Sequence, residues 1–305
     1  VESSAAAPAA ASPSSSSFFG RHQFLILRLH SLSGLIPVGA YMCIHLLTNA
    51  SVLAGPETFQ KAVDQIHTLG PALPLVEWAF IFLPIIFHAV VGVIIIRSGI
   101  YNTVNYPFRS NIRYTLQRAT AWIALFFIFY HVFHMHGWIH AGWWKEVIHG
   151  AGGLFDAERA TSSAALALAS VFVKIVYAIG VLSCVYHLAN GLWTMGITWG
   201  LWTTPQAQRR ADYVCGAFGI VMAVVGMGAL AGISRVDPKY ALATEKVTLE
   251  TRLSELERIQ KLSGSGDASL ERRIEEVKSA LEAINHQQKE LEQAPPATRQ
   301  ASLEK

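Results

Sequence analysis

The feature that most constrains this chain is one histidine, His88, set in the otherwise apolar run of residues 81–96. Extended back to Leu75, the run is long enough to cross a bilayer, since about 20 apolar residues at about 1.5 Å rise span roughly 30 Å of hydrocarbon. An ionisable group at that depth is costly, which makes it a functional candidate. The pattern recurs: His45, His131 and His187 sit in three other apolar runs. Four such histidines suggest two metal centres with two axial ligands each.

Charge is distributed to match. Of 305 residues 52% are hydrophobic and only 15% charged, against roughly 25% charged in soluble domains. Residues up to about 235 are mostly apolar, whereas 236–305 are rich in Glu, Lys, Arg and Gln. That contrast predicts an integral membrane domain followed by a water-exposed tail. A net charge of +3 is too small to argue for a nucleic-acid partner. Cys43, Cys184 and Cys215 fall in the expected spans without CxxC spacing and read as packing residues. Residues 1–19 are dominated by Ala, Ser and Pro. They lack the apolar core of a secretory signal and read as a disordered extension.

Five spans are expected, at about 24–50, 75–96, 115–138, within 164–199, and 214–233. Arg21, Arg28, Arg97, Arg109, Arg113, Arg118, Arg209 and Arg210 cluster at the N-terminus and in the second–third and fourth–fifth connections. Lys and Arg stay on the cytoplasmic side, so the N-terminus is expected inside and, after five spans, the C-terminus outside. Trp138, Trp143 and Trp144 then form an outer aromatic belt, with Trp199 and Trp202 on the inner side. Depth pairs the histidines: by residues counted at helical rise, His45 and His131 lie about 8 and about 10 Å from the outer ends of their spans. His88 and His187 lie about 13 and about 18 Å from the inner ends of theirs. A bis-histidine haem needs both ligands at one depth on facing helices, so His45 is expected to pair with His131 and His88 with His187.

The neighbours fit a cofactor, although for any one glycine ordinary helix packing is the favoured reading. Gly34, Gly39, Gly92 and Gly191 allow close approach, and Pro37 and Pro84 are expected to kink their helices. Arg28, Arg118 and Lys174 are candidate partners for haem propionates; interface anchoring explains the two arginines as well, and Lys174 can snorkel. His134, His136 and His140 follow His131, but no carboxylate or thiol joins them, and they read as interfacial histidines. Near the membrane edges, His30 with Ser31, and His67 with Asp64 and Glu77, are candidate quinone-site residues, the histidines as donors to a quinone carbonyl, although lone histidines there are more often structural. In the tail, Leu242, Leu249, Leu253, Leu256 and Ile259 repeat at three-four spacing. So do Leu270, Ile274, Val277, Leu281 and Ile284, beyond a Ser-Gly break at 263–267. An antiparallel helical hairpin with coiled-coil character is expected.

Several motifs then appear in an order that resembles a known family. Arg28-Leu29-His30-Ser31-Leu32-Ser33-Gly34 is followed by His45, then by Phe82-Leu83-Pro84-Ile85-Ile86-Phe87-His88-Ala89-Val90-Val91-Gly92. Leu116-Gln117-Arg118-Ala119-Thr120, His131, and Tyr186-His187-Leu188-Ala189-Asn190-Gly191-Leu192-Trp193 complete it. Over about residues 20–235 the chain resembles the succinate dehydrogenase cytochrome b subunit of the single-chain, five-helix, two-haem type. The resemblance implies two haems b, with His45 and His131 on the outer iron and His88 and His187 on the inner one. It implies a flavoprotein subunit and an iron–sulfur subunit on the inner side, which hold FAD and the iron–sulfur clusters. It also implies exchange of electrons with menaquinone or ubiquinone in a bacterial cytoplasmic membrane. No dicarboxylate active site is expected in this chain, and a homo-oligomer of the complex is left open.

The reading is thus an all-α membrane protein: an extension at 1–19, a di-haem membrane domain at 20–235 with a four-helix haem-binding core, and a hairpin and tail at 236–305. The alternative is the di-haem anchor of another respiratory oxidoreductase, such as a fumarate reductase, formate dehydrogenase or hydrogenase. A transporter or scaffold would leave four histidines on apolar helix faces unexplained.

Overall fold

Two of the breaks in the membrane helices stand beside a proline, which cannot complete the helix ladder. The computed structural model describes residues 18–97, 99, 103–139, 142–148, 150–263 and 267–293. Residues 1–17 of the expected extension, His140, the break at 264–266 and the terminus after 293 lie outside the described residues. Helix α1 (Phe18–Leu35) gives way to α2 (Pro37–Ala50) because Pro37 has no N–H and its ring crowds the carbonyl four residues earlier. Helix α3 is Pro56–His67 and α4 is Leu73–Glu77. A π-helical stretch, Trp78–Phe82, joins α4 to α5 (Leu83–Arg97). Pro84 again withdraws a donor, and the Leu83 N–H reaches back to the Trp78 carbonyl. Helix α6 (Arg109–His131) also runs into a π turn, Val132–His136, closed by Gly137 at φ 81° in the left-handed region. The remaining helices are α7 (Gly142–Ile148), α8 (Ala160–Ala167), α9 (Val171–Thr198), α10 (Pro205–Ser234), α11 (Pro238–Ser263) and α12 (Ala268–Gln293).

Among the described residues all regular structure is helical, and five stretches are long and apolar enough to cross a membrane: Gly20–Ala54, Gly70–Arg97, Arg109–His136, Val171–Thr198 and Pro205–Ser234. The all-α, five-span expectation is met. The fourth span, Val171–Thr198, lies within the expected 164–199 and follows the separate buried helix α8, whereas the other spans extend beyond their expected starts, the fifth most of all, from Pro205. On α5, Leu83, Ile86, Val90 and Ile94 form an exposed apolar stripe while Val91 is buried. Large apolar side chains at helical spacing with no protein cover suit lipid.

The chain forms two compact units. The first comprises the described residues up to Ile44, with Ala72–Phe126 and Gly180–Ala223; in it α1 packs along α5. A Cβ on Gly34 would come within 2.2 Å of the His88 ring, and one on Gly39 within 2.7 Å of Leu188. A Cβ on Gly34 would displace the His88 ring, whereas one on Gly39 meets the flexible end of the Leu188 side chain.

The second unit comprises His45–Pro71, Phe127–Ile179 and the described residues from Val224 onward. Its core joins Val52, Phe59, Val63, Ala160, Ala164, Leu168, Tyr177 and Ile233. Gln60 ties the backbone there: its Nε2 donates to the Ala157 carbonyl (2.6 Å) and its Oε1 accepts from the Ala160 N–H (2.9 Å). The hairpin has its own seam of Leu242, Leu249, Leu256, Leu270, Ile274, Val277, Ala280 and Ile284. Leu253 and Leu281 are partly buried, whereas Ile259, expected in the seam, is 44% exposed. Lys246 bonds Asn285 and Lys278 lies 3.8 Å from Glu257, which makes α11 and α12 antiparallel. Glu245, 3% exposed, accepts through Oε1 from the N–H groups of Thr161 and Ser162 at the start of α8, 2.9 Å each. A carboxylate there satisfies two donors that a helix start leaves open. Arg252 reaches Glu158 (2.6 Å) and Asp64 (3.2 Å).

Candidate functional site

Each unit contains one facing pair of membrane histidines. In the first, the His88 and His187 ring centres are 6.2 Å apart with their planes nearly perpendicular, at 86°. In the second, His45 and His131 are 5.8 Å apart at 74°. Two imidazoles binding one metal ion from opposite sides at about 2 Å per nitrogen have ring centres about 6 Å apart. Both spacings therefore suit a pair of axial ligands. Among the described residues no group of three or more His, Cys, Asp or Glu is placed to hold a metal ion. A two-histidine set instead suits an iron whose other four ligands come from a macrocycle.

Hydrogen bonds fix the tautomers in the first unit. His88 Nδ1 lies 2.9 Å from the His30 carbonyl, and His187 Nδ1 lies 3.2 Å from the Gln117 carbonyl. A carbonyl only accepts, so each Nδ1 carries the proton and each Nε2 offers a lone pair to a metal. Gln117 holds the arrangement further, donating Nε2–H to the His187 carbonyl (3.2 Å) and accepting from Asn190 Nδ2 (2.6 Å). Arg113 bonds Asn190 and Asp212 and stacks 3.7 Å over Trp193. In the second unit, His131 Nδ1 faces the Tyr177 hydroxyl at 3.3 Å and stacks with Phe127. The same hydroxyl lies 2.8 Å from His134 Nδ1. The Asn49 side chain donates to the His45 carbonyl (2.7 Å).

The other sequence candidates fall in various surroundings. Arg28 donates to the Thr198 carbonyl and lies over Phe24 and Trp199. Arg118, 8% exposed, donates to the Ile96 carbonyl at 2.7 Å and the Ile95 carbonyl at 3.4 Å, so its guanidinium caps the end of α5. Lys174 is half-buried near the start of α9. His30 stacks on His88, ring centres 4.0 Å apart. Ser31 donates to the Arg28 carbonyl and accepts from Trp199 Nε1. His67 is exposed with Nδ1 on the Val63 carbonyl, while Asp64 is engaged by Arg252 and Gln60. Glu77 is half-buried at the end of α4.

Tyr177, Gln117 and Asn190 were not among the residues the sequence singled out for a site. Gln117 and Asn190 stand inside the motifs quoted above; nothing in the sequence marks Tyr177. His134, read as interfacial, is 5% exposed. Its place three residues after His131 was the available signal, since such residues share a helix face.

Apolar spans with imidazoles facing in pairs define a multi-pass membrane protein of the cytochrome b class. No family model matches the chain. It is 36% identical over 211 residues to the succinate dehydrogenase cytochrome b558 subunit of Bacillus subtilis (strain 168), an alignment covering 69% of this chain and 97% of that one. The chain belongs to the succinate dehydrogenase cytochrome b subunits.

Proposed function

We propose that this chain is the membrane anchor and di-haem electron carrier of a succinate:quinone oxidoreductase, passing electrons from an iron–sulfur subunit to membrane quinone. The observation that carries the proposal is the pair of facing imidazole sets, with ring centres 6.2 and 5.8 Å apart. His88 and His187 hold one iron and His45 and His131 the other. Haem b supplies a one-electron couple between ferric and ferrous iron when bound. The chain's own residues orient the ligands: the His30 and Gln117 carbonyls keep Nδ1 protonated on His88 and His187. Gly34 leaves the space in which the His88 ring stands. Arg28, Arg118 and Lys174 remain the propionate candidates, Arg118 the weakest because its guanidinium is engaged by the end of α5. For quinone, the His30–Ser31 edge is favoured over His67, Asp64 and Glu77, because Asp64 is already in an ion pair.

Residues 20–235 form the electron-transfer domain in this reading and 236–305 an accessory hairpin. A flavoprotein subunit and the iron–sulfur subunit bind on the cytoplasmic side of a bacterial inner membrane, where the N-terminus lies. The contacts of Arg252 with Asp64 and Glu158 support placing the first–second connection, the third–fourth connection and the hairpin on one side, as five spans require. A pyridine haemochrome assay on the purified complex tests the proposal. Two haems b per chain are expected; one or none overturns it.

A further inference from the structure

Tyr177 lies in the buried core of the second unit, 5% exposed and edge-on to Phe127. Its hydroxyl stands between two imidazole nitrogens, 3.3 Å from His131 Nδ1 and 2.8 Å from His134 Nδ1. His134 is itself buried and stacks on Tyr130, ring centres 5.1 Å apart. A hydroxyl has one proton to give, so it cannot donate to both rings. We infer that Tyr177 is a positioning residue that sets the reduction potential of the haem held by His45 and His131, by accepting the His131 Nδ1 proton while donating its own to His134.

The inference rests on the reading of His131 as an iron ligand. A ligand bound to iron through Nε2 carries its proton on Nδ1, which makes Tyr177 Oη the acceptor there. The phenol hydrogen then points to His134 Nδ1, and His134 carries its proton on Nε2. The shorter of the two contacts is the one this direction assigns to the hydroxyl donor, in keeping with the shorter O–H bond. Donation to His134 polarises the phenol oxygen and makes it a better acceptor, because hydrogen bonds in a chain strengthen one another. A stronger acceptor raises the basicity of the ligating imidazole and stabilises ferric over ferrous iron. Tyr177 and His134 therefore lower the potential of this haem. The other pair has fixed backbone carbonyls in the corresponding places, His30 and Gln117.

The test is a potentiometric titration of both haems in the purified, detergent-solubilised complex, comparing wild type with Tyr177→Phe and His134→Phe. Tyr177→Phe is expected to shift one haem to higher potential, with its low-spin spectrum retained and the second haem unmoved. His134→Phe keeps an aromatic ring against Tyr130 but removes the acceptor, and is expected to shift the same haem in the same direction by less. If Tyr177→Phe fails to assemble, His134→Phe decides alone. Two intact haems with unmoved potentials in a variant that assembles overturn the inference and leave the ligand reading standing. If His131→Ala retains both low-spin haems, the ligand reading itself has failed, and the inference with it.

Discussion

The two histidine pairs are alike in spacing and unlike in support. His88 and His187 are oriented by main-chain carbonyls of α1 and α6, which no side-chain substitution deletes. His131 is oriented by the side chain of Tyr177, a partner it shares with His134. Their surroundings differ as well. The first unit is built from span segments whose closest approach depends on Gly34. The second gathers α3, α8 and the hairpin on apolar cores, with the half-buried Arg252, Asp64 and Glu158 in ion pairs between them. One site is held by the backbone and by the lack of a side chain; the other is held by side chains that can be exchanged. That difference predicts which substitutions each site will notice.

The largest effects are expected from the proposed ligands. On the proposed assignment, with succinate as donor, His88→Ala or His187→Ala should stop reduction of both haems, because each would remove an axial ligand from the iron proposed to lie nearer the iron–sulfur subunit. His45→Ala or His131→Ala should leave the His88/His187 haem reducible and abolish transfer beyond it. Stopped-flow absorbance of each purified variant checks this. Next comes Gly34→Ala. Its Cβ would fall 2.2 Å from the His88 ring, and overpacking of this kind costs about 1–3 kcal/mol. Loss or high-spin conversion of the His88/His187 haem is expected in the absorption spectrum, with the other haem intact. Gln117→Ala sharpens the contrast with Tyr177→Phe. It removes the amide bonds to Asn190 and to the His187 carbonyl but leaves the Gln117 carbonyl in place. The potential of that haem should barely move in a redox titration, whereas the Tyr177 variant moves its own.

What the sequence made legible was what repetition and depth encode. Five apolar runs announced the spans and the histidines in four of them the ligand candidates, and helical rise alone grouped them as the structure brings them together, His45 by His131 and His88 by His187. The hairpin seam followed from its leucine spacing, except at Ile259, which lies in the last turns of α11, next to the connection to α12. The supporting contacts were not legible. His131 and Tyr177 are 46 residues apart, and Glu245 and Thr161 are 84 apart, so nothing local ties them. Helix α8 was not singled out either, because residues 160–167 are small and carry no periodic pattern, and it is protein that buries them.

The smallest effects are expected where the hairpin meets α8. Glu245→Ala should cost about 1 kcal/mol, the usual worth of a helix N-cap, without changing either haem spectrum. Burial pushes the Glu158 and Glu245 carboxyls above the usual carboxylate range, against the pull of Arg252 and of the α8 amides respectively. A raised folded pKa means the fold binds the proton more tightly than the unfolded chain. Stability from these groups therefore falls as pH rises from the ordinary carboxylate pKa through the raised one. Amide-exchange protection in α8, corrected for intrinsic rates, should decline over that interval. The decline should flatten in Glu245→Gln.

The pairing itself is tested most directly by comparing the low-temperature reduced spectra of His45→Ala and His88→Ala. Each variant should lack a different haem, with His131→Ala matching the first and His187→Ala the second. Loss of the same haem from His45→Ala and His88→Ala would contradict the assignment of one iron to each facing pair.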